Sequence, residues 1–190
     1  MIFYMGDIHA GHGNSIRFDN RPWKTVEEMD EGLLRNINSR VTNDDTLVIA
    51  GDLTWYKGKK AYDFIRRMNG KKILVRGNHD YEYKPEFISL FEKVVDRLEI
   101  QDGDNHVVVS HYPEFFYKNQ RYGWIHLYAH VHMGVDYKLC EKIAQEIRDA
   151  GIPCRAYNIG CMLWNFFPVT LDEILAREEQ DEEIESFQED

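Results

Sequence analysis

Short apolar runs recur along this chain between stretches of helical period, and five of them are followed at once by a small polar cluster. Asp7-x-His9 follows Ile2–Met5, Gly51-Asp52 follows Thr46–Ala50, and Gly77-Asn78-His79-Asp80 follows Ile73–Val75. Ser110-His111 closes the run His106–Val109, and His130-x-His132 follows Trp124–Ala129. A run of three to six apolar residues, rich in valine and isoleucine and bounded by turn residues, reads as a buried strand. Open α/β sheets place their ligand sites just beyond the carboxyl ends of strands, where these clusters lie.

The intervening stretches read as helices. Over residues 25–40, Val26, Met29, Leu33 and Ile37 fall on one face, and Thr25 with Glu28 makes a capping box. Residues 58–69 repeat the pattern with Ala61, Phe64, Ile65 and Met68, and Gly70 closes the end. A short helix is expected near 85–91 and a longer one over 138–150; Thr170-x-x-Glu173 opens a last one. Val94–Ile100 and His106–Val109 flank Asp102-Gly103-Asp104, a hairpin signal, and Arg155–Ile159 is a late strand. A β-α-β-α-β start that gives way to strand-rich sequence predicts a layered α/β domain with a mixed sheet, single or doubled.

At 190 residues and 43% hydrophobic content the chain can bury one core, predicting a single domain over 1–177. The net charge of -10 resides mostly beyond Arg177, where eight acids occur without a base. Of 33 acids, the remaining 25 face 23 bases, so the body is nearly neutral and 178–190 reads as an acidic, solvated tail. That balance argues against stable binding to duplex nucleic acid, but admits a small phosphate ester. No run reaches the roughly 18 apolar residues of a membrane helix, and Asp7 follows Met1 too soon for a signal peptide. Cys140, Cys154 and Cys161 lack C-x-x-C spacing and read as buried small hydrophobes in a reducing compartment. A cytoplasmic protein is expected.

Carboxylate, imidazole and carboxamide together suit borderline divalent ions: Mn foremost, or Fe, Zn, Co or Ni. Two such ions roughly 3.5–4 Å apart can hold a bridging hydroxide as nucleophile and clamp phosphoryl oxygens. Their charge outweighs that of Asp7, Asp52 and one hydroxide, so an ester anion is attracted.

The ordered set D-x-H, G-D, G-N-H-D, H, H-x-H resembles the calcineurin-like metallophosphoesterases. It is most similar to the small bacterial and phage phosphoesterases whose first motif continues into G-H-x-N, here Gly11-His12-Gly13-Asn14. The resemblance runs from about Ile2 to about Ile174 and implies a layered fold with a mixed, two-sheet β core flanked by helices. It implies that Asp7, His9, Asp52 and His132 bind one metal and that Asp52, Asn78, His111 and His130 bind the other, with Asp52 bridging. His79 is similar to the family's non-ligand histidine, which stabilises the transition state or protonates the leaving oxygen, and Asp80 would orient it. A binuclear phosphoesterase is expected, acting on phosphodiester bonds of a small or nucleotide-like substrate. A metal-retaining scaffold with little turnover, or a nuclease, are the alternatives. One departure is Ala129, where the family's last motif usually has glycine; a positive φ there would strain alanine.

Other residues admit two readings. His12 and Asn14 could bind the substrate phosphate or form a polar loop. Arg17 and Arg76 could neutralise a phosphate, although salt bridges are the commoner fate of arginine. Trp55, Tyr56, Tyr112 and Phe115 could stack on a base, or pack at the rim or in the core. His106 and His126 read as structural, and Trp164, Phe166 and Phe167 as core anchors.

Overall fold

The computed structural model describes residues 1–81 and 84–177. The tail expected over 178–190 lies outside the described residues. Strands β1 (Ile2–Met5), β2 (Thr46–Ala50), β3 (Lys71–Val75) and β4 (Lys93–Val95) form one sheet in sequence order, all parallel. Strands β5 (Arg97–Asp102), β6 (Asn105–Ser110), β7 (Ile125–Tyr128) and β8 (Ala156–Asn158) form the second sheet. Its β5–β6 pair is antiparallel, and its other pairs are parallel. The mixed, two-sheet core expected from the sequence is present.

Helices α1 (Gly13–Phe18), α2 (Val26–Arg40), α3 (Lys59–Arg66), α4 (Pro85–Ile88) and α5 (Val135–Asp149) accompany the sheets, and a last helix, α6, spans 171–177. Alternate side chains of one strand serve two different cores. Phe3, Met5, Leu47, Ile49 and Leu74 pack with Met29, Leu33 and Ile37 of α2 and Phe64 and Ile65 of α3. Their neighbours Tyr4, Val48, Ala50, Ile73 and Val75 face the second sheet's Val107, Val109, Ile125 and Leu127. Tyr128 and Ala156, from the second sheet, pack on Cys140, Ala144 and Ile147 of α5. A parallel strand buried on both faces must be apolar throughout, hence the unbroken runs in the sequence. All three cysteines are buried, and none forms a disulfide among the described residues.

Several elements differ from the sequence reading. The run Val94–Ile100 is not one strand: β4 ends the first sheet at Val95, Asp96 turns the chain, and β5 begins the second sheet at Arg97. Helix α3 stops at Arg66, where the N–H groups of Arg67 and Met68 tighten onto the carbonyls of Phe64 and Ile65. Helix α4 likewise ends at Ile88 and continues only as turns, whereas α5 begins three residues earlier than its apolar period, at Val135. Both capping threonines are in place: Thr25 accepts from the Glu28 N–H, and Thr170 and Glu173 bond each other reciprocally.

Candidate metal centre

The carboxyl ends of β1, β2, β3, β6 and β7 deliver their polar clusters to one place. The loop after β1 lies along the loop after β2, its N–H groups at Asp7, His9 and Ala10 donating to the carbonyls of Gly51, Asp52 and Leu53. Gly51 is required there: its φ is 83°, and a side chain would run into the His111 ring and the backbone of Gly77. Asp7, His9, Asp52 and His130 also sit at positive φ, between 51° and 68°. Four residues with side chains thus hold a backbone conformation uncommon for them, and such departures cluster at functional sites.

Two triads converge across a cleft. The ligating atoms of Asp7, His9 and His132 lie within 4.8 Å of one another, as do those of Asp52, His111 and His130. Asp52 stands between them: its Oδ2 is 3.8 Å from His9 Nε2, and its Oδ1 is 3.6 Å from His111 Nε2. Asn78 Oδ1 is 2.9 Å from His111 Nε2, adding its carboxamide to the second triad. His79 Nε2 lies 3.9 Å from Asp52 Oδ2, and the ring packs against Trp55.

This donor set fits a pair of divalent cations. Oδ1 of the fully buried Asp7 has no hydrogen-bond partner among the described residues. Imidazole nitrogens face one another at 3.3 Å between His9 and His132 and at 3.1 Å between His130 and His111, where each pair can share at most one proton. Burial pushes the Asp7 carboxyl up to about 6, against the opposing pull of His132 and His111, and with Asp52 adding to the rise. Burial drives His9 down to about 2, helped by the charges of His132 and Arg21, and also lowers His130. Neutral imidazoles with inward lone pairs are what a cation needs.

A surrounding shell, invisible in the motif pattern, holds these groups. The buried Asp19 accepts from His132 Nδ1 and from Arg21, whose guanidinium donates at 2.8 and 3.0 Å to the carbonyls of Ile8 and Asp7. Burial acts to lower the His132 pKa, but the Asp19 hydrogen bond and the charges of Asp7 and Asp19 raise it overall. His111 Nδ1 bonds the Ala50 carbonyl, which aims Nε2 at the cleft. The only sequence clue to this shell is a pair of charges, Asp19 and Arg21, beside the first motif.

Asp80 departs from the expectation. Its carboxylate accepts backbone N–H groups of Asp52, Leu53 and Gly77 at 2.7–3.1 Å, and no bond to the His79 ring occurs among the described residues. It clamps the loop after β2 to the loop after β3, because three converging N–H donors at strand ends leave this buried acid better satisfied than one imidazole would. Its link to His79 runs through the backbone of the loop after β3.

The remaining candidates divide. His12 lines the cleft and stacks on Trp55 with centroids 4.0 Å apart. Asn14 and Arg17 are exposed on α1 and do not line it, and Arg76 Nη1 pairs with Asp96 at 3.7 Å. Tyr56 donates to Asp30, while Tyr112 is half exposed with its ring 4.5 Å from that of His130. Phe115 and Phe166 pack in or against cores. His126 is buried between the Glu114 N–H and the Val108 carbonyl, and His106 stacks on Trp124, both structural. Ala129 is not strained, since its φ is not positive; its methyl occupies space that Gly6 leaves open.

The calcineurin-like phosphoesterase family model matches residues 1–149, most of the chain, and this protein belongs to that family. An uncharacterized protein of Methanocaldococcus jannaschii, MJ1445, is 28% identical over 178 residues, spanning 92% of this chain and 89% of that protein. The gene 66 protein of Mycobacterium phage L5 is 28% identical over 130 residues, covering 58% of this chain and 62% of that protein. In fold the chain is similar to a solved protein of unknown function from Aquifex aeolicus, AQ665, at a TM-score of 0.68 and 21% identity, covering 92% of this chain and 97% of that one. No helix among the described residues is long and apolar enough to cross a membrane.

Proposed function

We propose that this protein is a binuclear metal-dependent phosphoesterase that hydrolyses phosphodiester bonds of small or nucleotide-like substrates. The observation that carries this reading is the position of Asp52, within 4 Å of a histidine from each triad. Asp7, His9, Asp52 and His132 would hold one ion, and Asp52, Asn78, His111 and His130 the other, Mn being the first choice among Mn, Fe, Zn, Co and Ni. When bound, such a pair supplies Lewis-acid charge at the phosphoryl oxygens and a reactive form of water at neutral pH.

The chain's own residues do the rest. His79, half exposed on the cleft wall, protonates the leaving oxygen as the phosphorus–oxygen bond breaks. Asp80 supports it by fixing the loop from which it projects. His12 is retained as a contact to the substrate phosphate, while the exposure of Asn14 and Arg17 and the Asp96 pairing of Arg76 weigh against those three. Residues 1–177 would constitute the metallophosphoesterase domain. Buried thiols outside any disulfide among the described residues suit a cytoplasmic protein.

The test combines elemental analysis with hydrolysis of bis(p-nitrophenyl) phosphate in Mn. Two equivalents of metal per chain and a rate that falls at least about a hundredfold in His79→Ala would agree with the proposal. Bound metal without turnover above the His79→Ala control would instead indicate a scaffold, and release of nucleotides from single-stranded DNA would indicate a nuclease.

A further inference from the structure

A second cavity, of about 340 Å³, opens beside the metal cleft. Trp55 and His79 belong to the walls of both, so a molecule whose phosphorus lay at the ions could extend directly into it. The lining is unusually aromatic: Trp55, Tyr56, Tyr81 and Phe87, with Thr54 and Lys57 as polar neighbours. Trp55 is 40% exposed and Tyr81 70% exposed, although large rings at loop ends would gain by burial. The hydroxyls of Thr54 and Tyr56 are already engaged, donating to the Ala10 carbonyl and to Asp30. The Asp80 carboxylate is occupied by backbone N–H groups. Lys60 Nζ lies 3.9 Å over the Tyr56 ring, Phe87 is buried in the core, and Trp55 already touches the His12 and His79 rings. Among the described residues Tyr81 therefore contributes the open ring face and Trp55 its exposed remainder, with Lys57 as a cation.

We propose that this cavity is a base-binding subsite, which takes the nucleobase of a nucleoside phosphate ester by stacking on Tyr81 against the exposed part of Trp55. The proposal rests on the phosphoesterase reading above and narrows its substrate class to esters that carry a planar ring. Its volume falls in the range of small-molecule sites and exceeds what one base needs. Stacking on aromatic side chains tolerates any base, because every base has a π-face. With few free hydrogen-bonding groups among the described wall residues, the subsite separates base-bearing esters from sugar phosphates but reads base identity weakly. Lys57 adds a positive charge at the rim, suited to a further phosphate of the same nucleotide.

The experiment compares adenosine 5′-monophosphate with ribose 5-phosphate as inhibitors of bis(p-nitrophenyl) phosphate hydrolysis by the Mn-loaded protein. The two share a phosphomonoester and a ribose and differ in the base. The nucleotide should bind at least about tenfold more tightly. That preference should shrink severalfold in Tyr81→Ala and persist in Tyr81→Phe, which keeps the ring. Equal inhibition by the two compounds, or a preference unchanged in Tyr81→Ala, would overturn the subsite. Absence of turnover would sink the phosphoesterase reading alone. Binding of the two compounds, followed by tryptophan fluorescence and calorimetry, then decides the subsite: a preference upholds it and parity rejects it.

Discussion

Replacing Gly6 by alanine tests how tightly the two sheets are fitted together beneath the metal cleft. The backbone at Gly6 is not left-handed, so alanine meets no conformational penalty there. The added methyl, however, would lie 2.5 Å from the Ala129 methyl, with the Ala50 carbonyl and methyl at ordinary contact, 3.4 and 3.5 Å. Carbon atoms pack best at about 3.5–4.0 Å, so one strand end must move by about 1 Å in a close-packed region. Overpacking of this kind costs about 1–3 kcal/mol. Ala129→Gly alone should cost about 1–2 kcal/mol, from one lost buried methyl and a freer unfolded backbone. In Gly6→Ala/Ala129→Gly the methyl returns from the opposite side without the collision. The double variant should therefore be more stable than the sum of the singles predicts by about 1–3 kcal/mol. Urea unfolding followed by far-UV circular dichroism, in excess chelator so that metal affinity does not enter, measures all four proteins. Additive effects, or a Gly6→Ala variant within about 0.5 kcal/mol of the parent, would refute the packing argument.

Further outcomes follow from the shell around the site. Asp80→Asn at pH 8 exchanges a carboxylate that accepts three N–H groups for an amide with one acceptor oxygen, and should cost about 2–3 kcal/mol in urea unfolding; a loss below about 0.5 kcal/mol would contradict the clamp. Asp19→Asn removes the charge behind His132 and should weaken metal binding about 10–100-fold by calorimetry; unchanged affinity would show that the contact does not orient the ligand. Burial lowers the His126 pKa to about 4 from an ordinary value near 6.5, so the unfolded chain binds its proton first as pH falls. The stability that neutral His126 contributes is complete above about pH 6.5 and is lost as pH drops towards 4, and His126→Gln should lose less stability between pH 7 and 5 than the parent does. Equal pH slopes for the two proteins would exclude His126 as the source. Added Mn should raise the thermal midpoint in a concentration-dependent way, reversed by chelator, since only the folded chain assembles both triads.

The strands and the site they carry were legible because burial on both faces demands unbroken apolar runs, and strand ends are where such a sheet exposes its polar groups. The divided run at Asp96 was not, since apolar residues of either sheet look alike and only tertiary pairing shows that β4 and β5 part company. Helix α1 is not legible in the sequence because it buries only Ser15, leaving no apolar period to read. The start of α5 is hidden for the same reason, Val135 being 82% exposed. Asp19, Arg21 and the partners of Asp80 depend on chain crossings that local spacing does not encode. The left-handed backbone at Asp7, His9, Asp52 and His130 is likewise not legible locally, since no glycine marks those positions.

Each triad recruits from both sides of the sandwich. Asp7 and His9 leave β1 while their companion His132 follows β7; Asp52 leaves β2 while His111 and His130 follow β6 and β7. Neither nest of ligands can thus be finished by one half of the molecule alone. With the first sheet alone ordered, His132 would be missing from the first triad and both His111 and His130 from the second, so capture of metal should report the docking of the halves rather than the growth of any one strand.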